Sequence, residues 1–315
     1  MKRISFFFLI LLVASTFTAC EKTFDYDNSK IPNDFVGLTA PAPGSGFQVH
    51  VPAFPVPARF EREWFMRLPI GNTEDIYVTS FESKCRPGTH HLVAYGYQDE
   101  NDPLNPQIGV MRDQNRADGR GNFRSNMNMD INFFTAQTDS FVLQFPPGFA
   151  VYLKGGATMD LNSHYFNRTD ETRFGEVYLN IHTVDPSQVN TILYTELVDN
   201  SDELRLPPHS TTTITHTELA TDEHMMLYSI TSHMHKRGRL FKVFVSGGPR
   251  DGELLLESND YKHPPQIFLD TPLEITPGMG LRTEVTYENE TDRTITFGVT
   301  SEDEMGIAFF LYEQL

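Results

Sequence analysis

The segment Leu281-Arg-Thr-Glu-Val-Thr-Tyr287 places Leu, Thr, Val and Tyr at alternate positions, with Arg, Glu and Thr between them. Successive side chains of a strand point to opposite faces, so this pattern predicts a strand with one buried face and one solvated face. Similar short β-rich runs occur elsewhere in the chain, each bounded by Pro, Gly, Asn or Asp. They are Ile76 to Thr79, Phe141 to Phe145, Val177 to Val184 and Leu240 to Val245. The sequence therefore predicts an all-β fold.

The length and the spacing of these runs indicate two domains. With 315 residues the chain can build two medium-sized cores, and short strands separated by turn signals are typical of antiparallel sandwiches. We predict two tandem jelly-roll-like antiparallel β-sandwich domains, 46–198 and 199–315. Residues 98–140 are polar and rich in turn residues, so we expect a long surface excursion there. No internal repeat is recognised.

The N-terminus has the layout of an export signal. Lys2 and Arg3 precede an apolar run from Ile4 to Val13, and small residues follow as far as Ala19. The run is too short to span a bilayer. We therefore predict a signal peptide over residues 1–19 and a protein that is exported.

The signal is followed by a cysteine. Thr18-Ala19-Cys20 resembles the lipobox of bacterial lipoproteins, in which the cysteine is acylated, although Phe17 stands where Leu is usual. An ordinary cleaved signal is the alternative. We expect lipidation of Cys20, a tether over residues 20–45, and lipid anchorage to the membrane of the bacterial cell envelope, on its periplasmic or outer face.

The charge and the thiol content narrow the possible partners. The chain has 25 basic and 42 acidic residues, a net charge of −17, and loss of the two basic residues of the signal makes it −19. An acidic protein of this kind is a poor partner for nucleic acid. Once Cys20 carries lipid, Cys85 is the remaining thiol, so no intramolecular disulfide can form.

Two pairs of closely spaced histidines suggest metal binding. Residues two apart in a strand share a face at about 6.5–7 Å, so His233 and His235 can both reach one ion while Met234 points the other way. The adjacent His90 and His91 point to opposite faces of a regular strand, so joint ligation requires a bulge, a strand end or the use of different ring nitrogens. His164 and Met305, taken alone, are more simply packed residues than ligands.

Five segments, in one order along the chain, resemble those of the copper type II, ascorbate-dependent monooxygenases, the family of dopamine β-monooxygenase and the peptidylglycine-hydroxylating enzyme. They are Cys85-Arg-Pro-Gly-Thr-His90-His91-Leu-Val-Ala-Tyr95-Gly96, Phe145-Pro-Pro-Gly148 with Asp160-Leu-Asn-Ser-His164-Tyr165, Leu206-Pro-Pro-His209, Thr231-Ser-His233-Met-His235-Lys-Arg-Gly238-Arg239, and Ser301-Glu-Asp-Glu-Met305. The resemblance spans most of residues 50–315 and implies two jelly-roll-like sandwiches that face each other across a cleft.

The resemblance implies two copper ions per chain. By carry-over, the electron-transfer site comprises His90, His91 and His164, and the oxygen-binding, catalytic site comprises His233, His235 and Met305. Imidazole suits copper in either valence, and a thioether favours Cu(I). The implied enzyme is an oxidoreductase that hydroxylates an activated C–H bond with O2 and a one-electron reductant such as ascorbate.

The chain departs from the family at three positions. Tyr97 stands where a cysteine commonly pairs with the equivalent of Cys85. Thr231 and Phe309 replace an arginine and a tyrosine that face the substrate in the peptide-amidating branch. These differences disfavour a peptidylglycine substrate and leave an unknown small molecule or exposed side chain as the substrate.

Two other classes of function remain open from the sequence. The same double sandwich is compatible with a non-catalytic surface lipoprotein that binds copper or a glycan. Hydrolysis of glycoprotein amides is the third option, since a similar double jelly roll occurs in bacterial peptide-N-glycosidases. Two copper-loaded sites would oppose that third option.

Overall fold

The computed structural model describes residues 31–97, 99–113, 131–298 and 300–315. The predicted signal peptide, the lipidation site Cys20 and the first part of the tether lie outside these residues. Within them the regular elements are strands, apart from one 3-10 turn at Pro186–Gln188. No helix in this part of the chain has the length and apolar character needed to cross a membrane.

The first half of the described chain forms two sheets packed face to face. Its strands are β1 (Gly46–Val56), β2 (Glu61–Pro69), β3 (Ile76–Cys85), β4 (Thr89–Gly96), β5 (Met111–Asp113), β6 (Ile131–Ala136), β7 (Ser140–Gln144), β8 (Phe149–Leu153), β9 (Thr158–Phe166) and β10 (Arg173–Val184). One sheet has the order β1-β10-β3-β8, with β7 also on β3, and the other has the order β5-β2-β9-β4-β6. Between them Phe81 and Leu179 pack with Leu92 and Leu161 in one apolar cluster.

The second half repeats this arrangement. Its strands are β11 (Thr191–Asp199), β12 (Arg205–Leu206), β13 (Ser210–Leu219), β14 (Met225–Met234), β15 (Gly238–Ser246), β16 (Leu254–Ser258), β17 (Ile267–Ile275), β18 (Gly280–Asn289), β19 (Ile295–Thr296) and β20 (Gly306–Gln314). The sheets β11-β20-β14-β17 and β13-β18-β15-β16 enclose a second apolar cluster. The alternating segment 281–287 lies in β18, and Leu281, Val285 and Tyr287 are buried as predicted.

The two halves share one sheet. Strand β11 pairs with β8 in parallel, from Thr191 opposite Phe149 to Leu193 opposite Val151, which makes a nine-stranded sheet. The predicted fold class, all-β with jelly-roll-like antiparallel sandwiches, is confirmed. The domain boundary at 198/199 stays a prediction, because the apolar clusters separate near it while one sheet continues across it.

The predicted surface excursion ends earlier than expected. Residues 131–136 form β6, which pairs with β4 in the second sheet, and Phe134 and Ala136 are buried in the first apolar cluster. The expectation of a surface segment through residue 140 is therefore wrong for its last part. The apolar residues of this short strand directly follow a polar stretch, and the polar composition of the whole segment hid the strand in the sequence.

Part of the predicted tether contacts the folded body. Asp34 accepts a hydrogen bond from the Arg86 guanidinium at 2.7 Å. Asn180 donates to the Thr39 carbonyl and Gln48 to the Leu38 carbonyl. Residues 34–39 are thus held against the sandwich formed by the first half.

The structure reveals an internal repeat that the expectation from sequence missed. Tyr165-Phe-Asn167-Arg-Thr169-Asp170 and Tyr287-Glu-Asn289-Glu-Thr291-Asp292 share the pattern Tyr-x-Asn-x-Thr-Asp. The first lies at the end of β9 and the second at the end of β18. Only four positions in a stretch of six residues are identical, which is too little to stand out without the fold.

The repeated asparagines make the same contacts in each half. The Nδ2 group of Asn167 donates to the carbonyls of Val56, Pro57 and Glu171, and that of Asn289 donates to those of Leu206, Pro207 and Arg293. In both turns the Asn Oδ1 accepts from the backbone and hydroxyl of the threonine two residues on. These buried amides close the corners of the two sandwiches.

The backbone of the two corners is also equivalent. Among the described residues other than glycine, Arg59 and His209 are the two with φ in the left-handed region, at 55° and 49°. Each side chain contacts the aspartate of its own repeat, Asp170 or Asp292, at 2.8 Å. The two halves are therefore copies of one sandwich.

Replacement of Asn289 by Ala should lower the free energy of unfolding by about 3 kcal/mol, because three carbonyls lose a buried donor. Urea denaturation monitored by fluorescence would measure the loss. Thr213→Ala is the control, since its hydroxyl pairs with Thr286 at an exposed position of the same sheet, and it should cost about 0.5 kcal/mol or less. Equal effects from the two variants would contradict a structural role for the asparagine corner.

Candidate metal centre

A bulge in β4 brings His90 and His91 to one place. Thr89 pairs with Tyr165 and His91 with His164, so His90 is the extra residue between two ladder positions. This is the irregularity that joint ligation by adjacent histidines requires. One ring nitrogen from each of His90, His91 and His164 lies within 4.8 Å of the other two.

Hydrogen bonds define which nitrogens face the shared position. His164 Nε2 lies 2.7 Å from Glu61 Oε1, and His91 Nε2 lies 2.8 Å from Asn162 Oδ1. Carboxylate and amide oxygens accept, so both Nε2 atoms carry the hydrogen and both Nδ1 atoms keep a lone pair. The Nδ1 of His164 is buried and has no hydrogen-bond partner among the described residues.

The lone pairs converge. His90 Nδ1 lies 3.1 Å from His91 Nδ1, and an unpaired buried acceptor is costly unless a cation satisfies it. Two nitrogens bound to one ion at about 2.0–2.1 Å stand about 3.3–3.6 Å apart, so the separation of these two nitrogens is close to that of a shared site. The residues therefore fit a metal ion held by three Nδ1 atoms.

Two carboxylates stand behind these histidines on β2. Glu61 contacts His164, and Glu63 Oε1 accepts from Asn162 at 3.0 Å and lies 3.7 Å from His91 Nε2. Burial raises the pKa of each carboxyl, but hydrogen bonds and the nearby imidazoles outweigh burial and hold both pKa values below their usual range. Ionised carboxylates behind metal ligands fix the orientation of the rings.

The second pair of histidines lies at the end of β14. The rings of His233 and His235 have centroids 5.2 Å apart, while Met234 between them is buried in the second apolar cluster. His235 Nδ1 donates to the Asp303 carbonyl at 3.2 Å, and His233 Nδ1 lies 3.4 Å from Gln137 Oε1. These contacts leave the Nε2 atoms of both rings as the nitrogens that could bind an ion.

Met305 is adjacent to this pair through strand pairing. In the ladder of β14 with β20, Met234 pairs with Gly306, so Met305 is next in line toward His235. The Glu304 carboxylate accepts from the backbone N–H groups of His235 and Arg237, at 3.0 and 2.7 Å. Met305 itself is buried, and these bonds hold its backbone beside His235.

The two ligand sets lie side by side. Ring centroids of His91 and His233 are 6.0 Å apart, and those of His90 and His235 are 6.4 Å apart. Burial, followed by the neighbouring imidazoles, lowers the pKa of His90 and of His233, and burial lowers the pKa of His235 to about 4. Neutral imidazoles are the form that binds metal.

The repeat shows that each half carries one ligand set. Thr89–Tyr165 and Gly238–Tyr287 are equivalent pairs, and a register shift follows each of them. By this register the second half has Leu240 opposite Thr286 where the first half has His91 opposite His164. The first ligand set therefore has no copy in the second half.

The converse holds for the second set. The hydroxyl of Tyr165 donates to the Glu176 carbonyl, as that of Tyr287 does to the Met305 carbonyl. Glu176 is thus the counterpart of Met305, and it forms a 2.9 Å ion pair with the buried Arg86. The Arg86–Glu176 ion pair in the first half thus stands where the second half has the ligand set that includes Met305.

The other histidines lie outside the centre, and each contacts a carboxylate. The pairs are His50 with Glu176, His182 with Glu82, His209 with Asp292, His216 with Glu203 and Glu218, His224 with Glu274, and His263 with Asp260. None of them belongs to a group of three His, Cys, Asp or Glu ligands among the described residues. Their contacts account for them without a metal.

A partly open cavity of about 100 Å3 lies beside His233. Its wall includes Gln137, which also contacts His233, and Thr231 with Phe309, which face each other across β14 and β20. Thr231 and Phe309 are the two positions at which the sequence departs from the peptide-amidating branch. The rest of the described wall is mainly aromatic, amide and hydroxyl side chains, among them Phe141 and Gln266.

The departure at Tyr97 has a structural counterpart. Cys85 is buried and free, and burial raises its pKa to about 12. Tyr97 donates a 2.7 Å hydrogen bond to Asp160 on β9, and Asp160 also pairs with Arg112. A buried polar network thus ties the end of β4 to the strand that carries His164.

Sequence reasoning missed the residues that orient the ligands. They are Glu61, Glu63, Gln137, Asn162, Ser301 and Glu304. Glu61-Arg-Glu63 and Asn162-Ser-His164 each put two polar residues on one face of a strand. Such alternation beside a predicted ligand is the signal that could have found them.

The fold and the site define a double β-sandwich protein with a candidate metal centre of five histidines and one methionine. Residues 191–314 match the family described as copper type II ascorbate-dependent monooxygenase, C-terminal domain. The matched segment contains His233, His235 and Met305. At the level of the family, the match supports copper- and ascorbate-dependent monooxygenase function.

The solved structures to which the chain is similar include viral capsid proteins. The major capsid protein P2 from bacteriophage PM2 is 8% identical with a TM-score of 0.33, covering 85% of this chain and 98% of that one. The STIV MCP is 6% identical with a TM-score of 0.38, covering 86% and 97%. These scores are too low for either likeness to bear on function. No curated protein matches the sequence.

The stability of the metal-free protein should report the buried His235. Relative to His235→Gln, the wild type should lose stability as pH falls from about 6.5 to about 4. In this range His235 is protonated in the unfolded chain, while the buried ring of the folded protein stays neutral, so protonation favours unfolding. Urea unfolding of both proteins across this range would measure the difference.

His216 provides a control of opposite sign. Burial lowers its pKa, but Glu203 and Glu218 outweigh burial and raise it overall. Relative to His216→Gln, the wild type should therefore gain stability as pH falls through the raised pKa toward about 6.5. The same slope for both pairs of proteins would contradict the assigned environments.

Proposed function

We propose that the protein is a copper-dependent monooxygenase that hydroxylates an activated C–H bond with O2 and a one-electron reductant such as ascorbate. The observation that carries the proposal is the pair of adjacent ligand sets, one of three imidazoles and one of two imidazoles beside a methionine. This donor chemistry suits copper, and a thioether is a poor ligand for zinc.

Copper, when bound, would supply one-electron redox chemistry and the activation of dioxygen. The residues of the chain hold the ligands for it. His90, His91 and His164 would bind one ion through Nδ1. His233 and His235 would bind the second through Nε2, with the sulfur of Met305.

The arrangement of the ligands favours reversible redox chemistry. Hydrogen bonds donated by three of the rings to Glu61, Asn162 and the Asp303 carbonyl fix those rings before an ion arrives. Preset rings change little between two oxidation states, which lowers the cost of an electron transfer. Burial of the rings also limits access of bulk water to the centre.

We propose the cavity beside His233 as the place of the organic substrate. Gln137 lines this cavity and also contacts His233 of the second ligand set. Its aromatic, amide and hydroxyl lining suits a small molecule or a single exposed side chain. Thr231 and Phe309 would then contact the substrate.

We also propose that the protein works outside the cytoplasm, anchored to the bacterial cell envelope through lipid on Cys20. The support is the order of basic, apolar and small residues before that cysteine. Metabolic labelling with a radioactive fatty acid would test this, with Cys20→Ala as the control. Equal labelling of the two chains would contradict it.

The chain from Glu21 onward should bind about two copper ions and consume O2 when ascorbate is added. Met305→Ala should abolish oxygen uptake by weakening one site, and His164→Ala should reduce the bound copper to about one ion by removing a ligand of the other. Metal analysis and an oxygen electrode would measure both quantities.

The matched control is His224→Ala, which removes an exposed histidine paired with Glu274. Copper content and oxygen uptake should not change. Absence of stoichiometric copper in the wild type would refute the proposal. Two bound ions without oxygen uptake that depends on Met305 would instead indicate a non-catalytic copper-binding protein.

A further inference from the structure

One carboxylate contacts a ligand of the first set and the turn that leads to the second set. Glu61 on β2 accepts from His164 Nε2 at 2.7 Å, and it also accepts from the backbone N–H and the hydroxyl of Ser301, each at 2.9 Å. His164 belongs to the first half and Ser301 to the second. The contact between Glu61 and Ser301 therefore joins residues that are 240 positions apart in the chain.

Ser301 lies in the turn that leads to Met305. Thr300 and Asp303 close this turn through two hydrogen bonds, at 3.0 Å between backbones and 2.7 Å between side chains. The carbonyl of Asp303 then accepts from His235. A shift of Ser301 would thus be felt at His235 and at Met305.

The environment makes these bonds strong. The side chain of His164 is 0% exposed and that of Glu61 is 21% exposed, so solvent competes little for the contact. Bonds to an ionised carboxylate are about twice as strong as neutral ones. Because both Glu61 oxygens are engaged at short distance, the carboxylate cannot rotate without breaking a bond to one of the two halves.

The repeat gives an independent comparison. Glu61 pairs with Phe166 in the first half as Thr211 pairs with Glu288 in the second. The position equivalent to His164 is Thr286 by the same register. A carboxylate thus occurs in the copy that has a ligand to orient, and a threonine occurs in the copy that has none.

We propose, resting on the proposed copper function, that Glu61 is a positioning residue for both metal sites. It holds His164 with Nδ1 directed to the first ion, and through Ser301 it fixes the segment that carries Asp303 and Met305. Loading of the two sites is therefore linked through one side chain.

The test compares Glu61→Gln, Glu61→Ala and Ser301→Ala with the control Glu82→Gln, whose carboxylate lies near His182 away from the centre. Cu(I) affinity is measured by competition with a chelator in two backgrounds. His233→Ala isolates the first site and His164→Ala isolates the second. Thermal melting of each variant monitors folding.

At the first site, Glu61→Gln should weaken Cu(I) binding by about 10- to 100-fold, the usual effect of losing a partner of a ligating histidine. At the second site, Ser301→Ala and Glu61→Gln should each weaken binding by about 2- to 10-fold, as expected for one lost hydrogen bond. The two changes together should add little, because they break the same contact.

A second readout needs no metal. In metal-free protein labelled with 15N-histidine, His164 should carry its proton on Nε2 in the wild type and lose that preference in Glu61→Ala. Wild-type copper loading with affinities of the Glu61 and Ser301 variants within twofold of Glu82→Gln would overturn the inference. If the wild type binds no copper, the proposed function fails, and the tautomer of His164 still decides whether Glu61 positions that ring.

Discussion

The pairing of β8 with β11 joins the two sandwiches in a single sheet, and the candidate metal centre depends on that junction. Neither half alone supplies both ligand sets: three histidines come from β4 and β9, and two histidines with a methionine come from the ends of β14 and β20. Contacts from Gln137 to His233 and from Glu61 to Ser301 cross the same junction. A backbone ladder, which involves no side chain of the site, therefore sets the spacing of the ligands.

The internal repeat explains how such a centre is built from one kind of sandwich. Both copies keep the buried asparagine corner, the tyrosine that donates to a carbonyl, and the bulge in the strand that pairs with the corner strand. They differ where polar groups meet inside: the first half has three histidines at the bulge, and the second has its ligands on the neighbouring strand pair. In the first half, the ion pair between Arg86 and Glu176 occupies the position of the second ligand set. In the second half, Leu240 and Thr286 occupy positions of the first ligand set. The scaffold is thus common to both halves and the chemistry is specific to each.

Electrostatics favours the state of the ligands that can bind a metal. Five imidazoles packed within about 6.4 Å of their neighbours would repel one another if protonated, and burial adds to that cost. The pKa values of His90, His233 and His235 are therefore lowered, which favours their neutral form. Carboxylates behind them stay ionised and fix the tautomers, so the protein bears the cost of ordering the rings during folding.

Much of this protein followed from sequence alone. Alternation in segments such as 281–287 determined the strands, because side chains two apart share a face, and the spacing of His233 and His235 determined that they lie together. That His90 and His91 need an irregular backbone or different ring nitrogens was also predictable, since adjacent residues otherwise face apart, and the structure has the bulge. Only the tertiary structure decided that the two ligand sets lie side by side, that Glu61 links them, that β6 is buried and that the halves are copies. Each of these depends on contacts between residues far apart in the chain, for which a local pattern carries no signal.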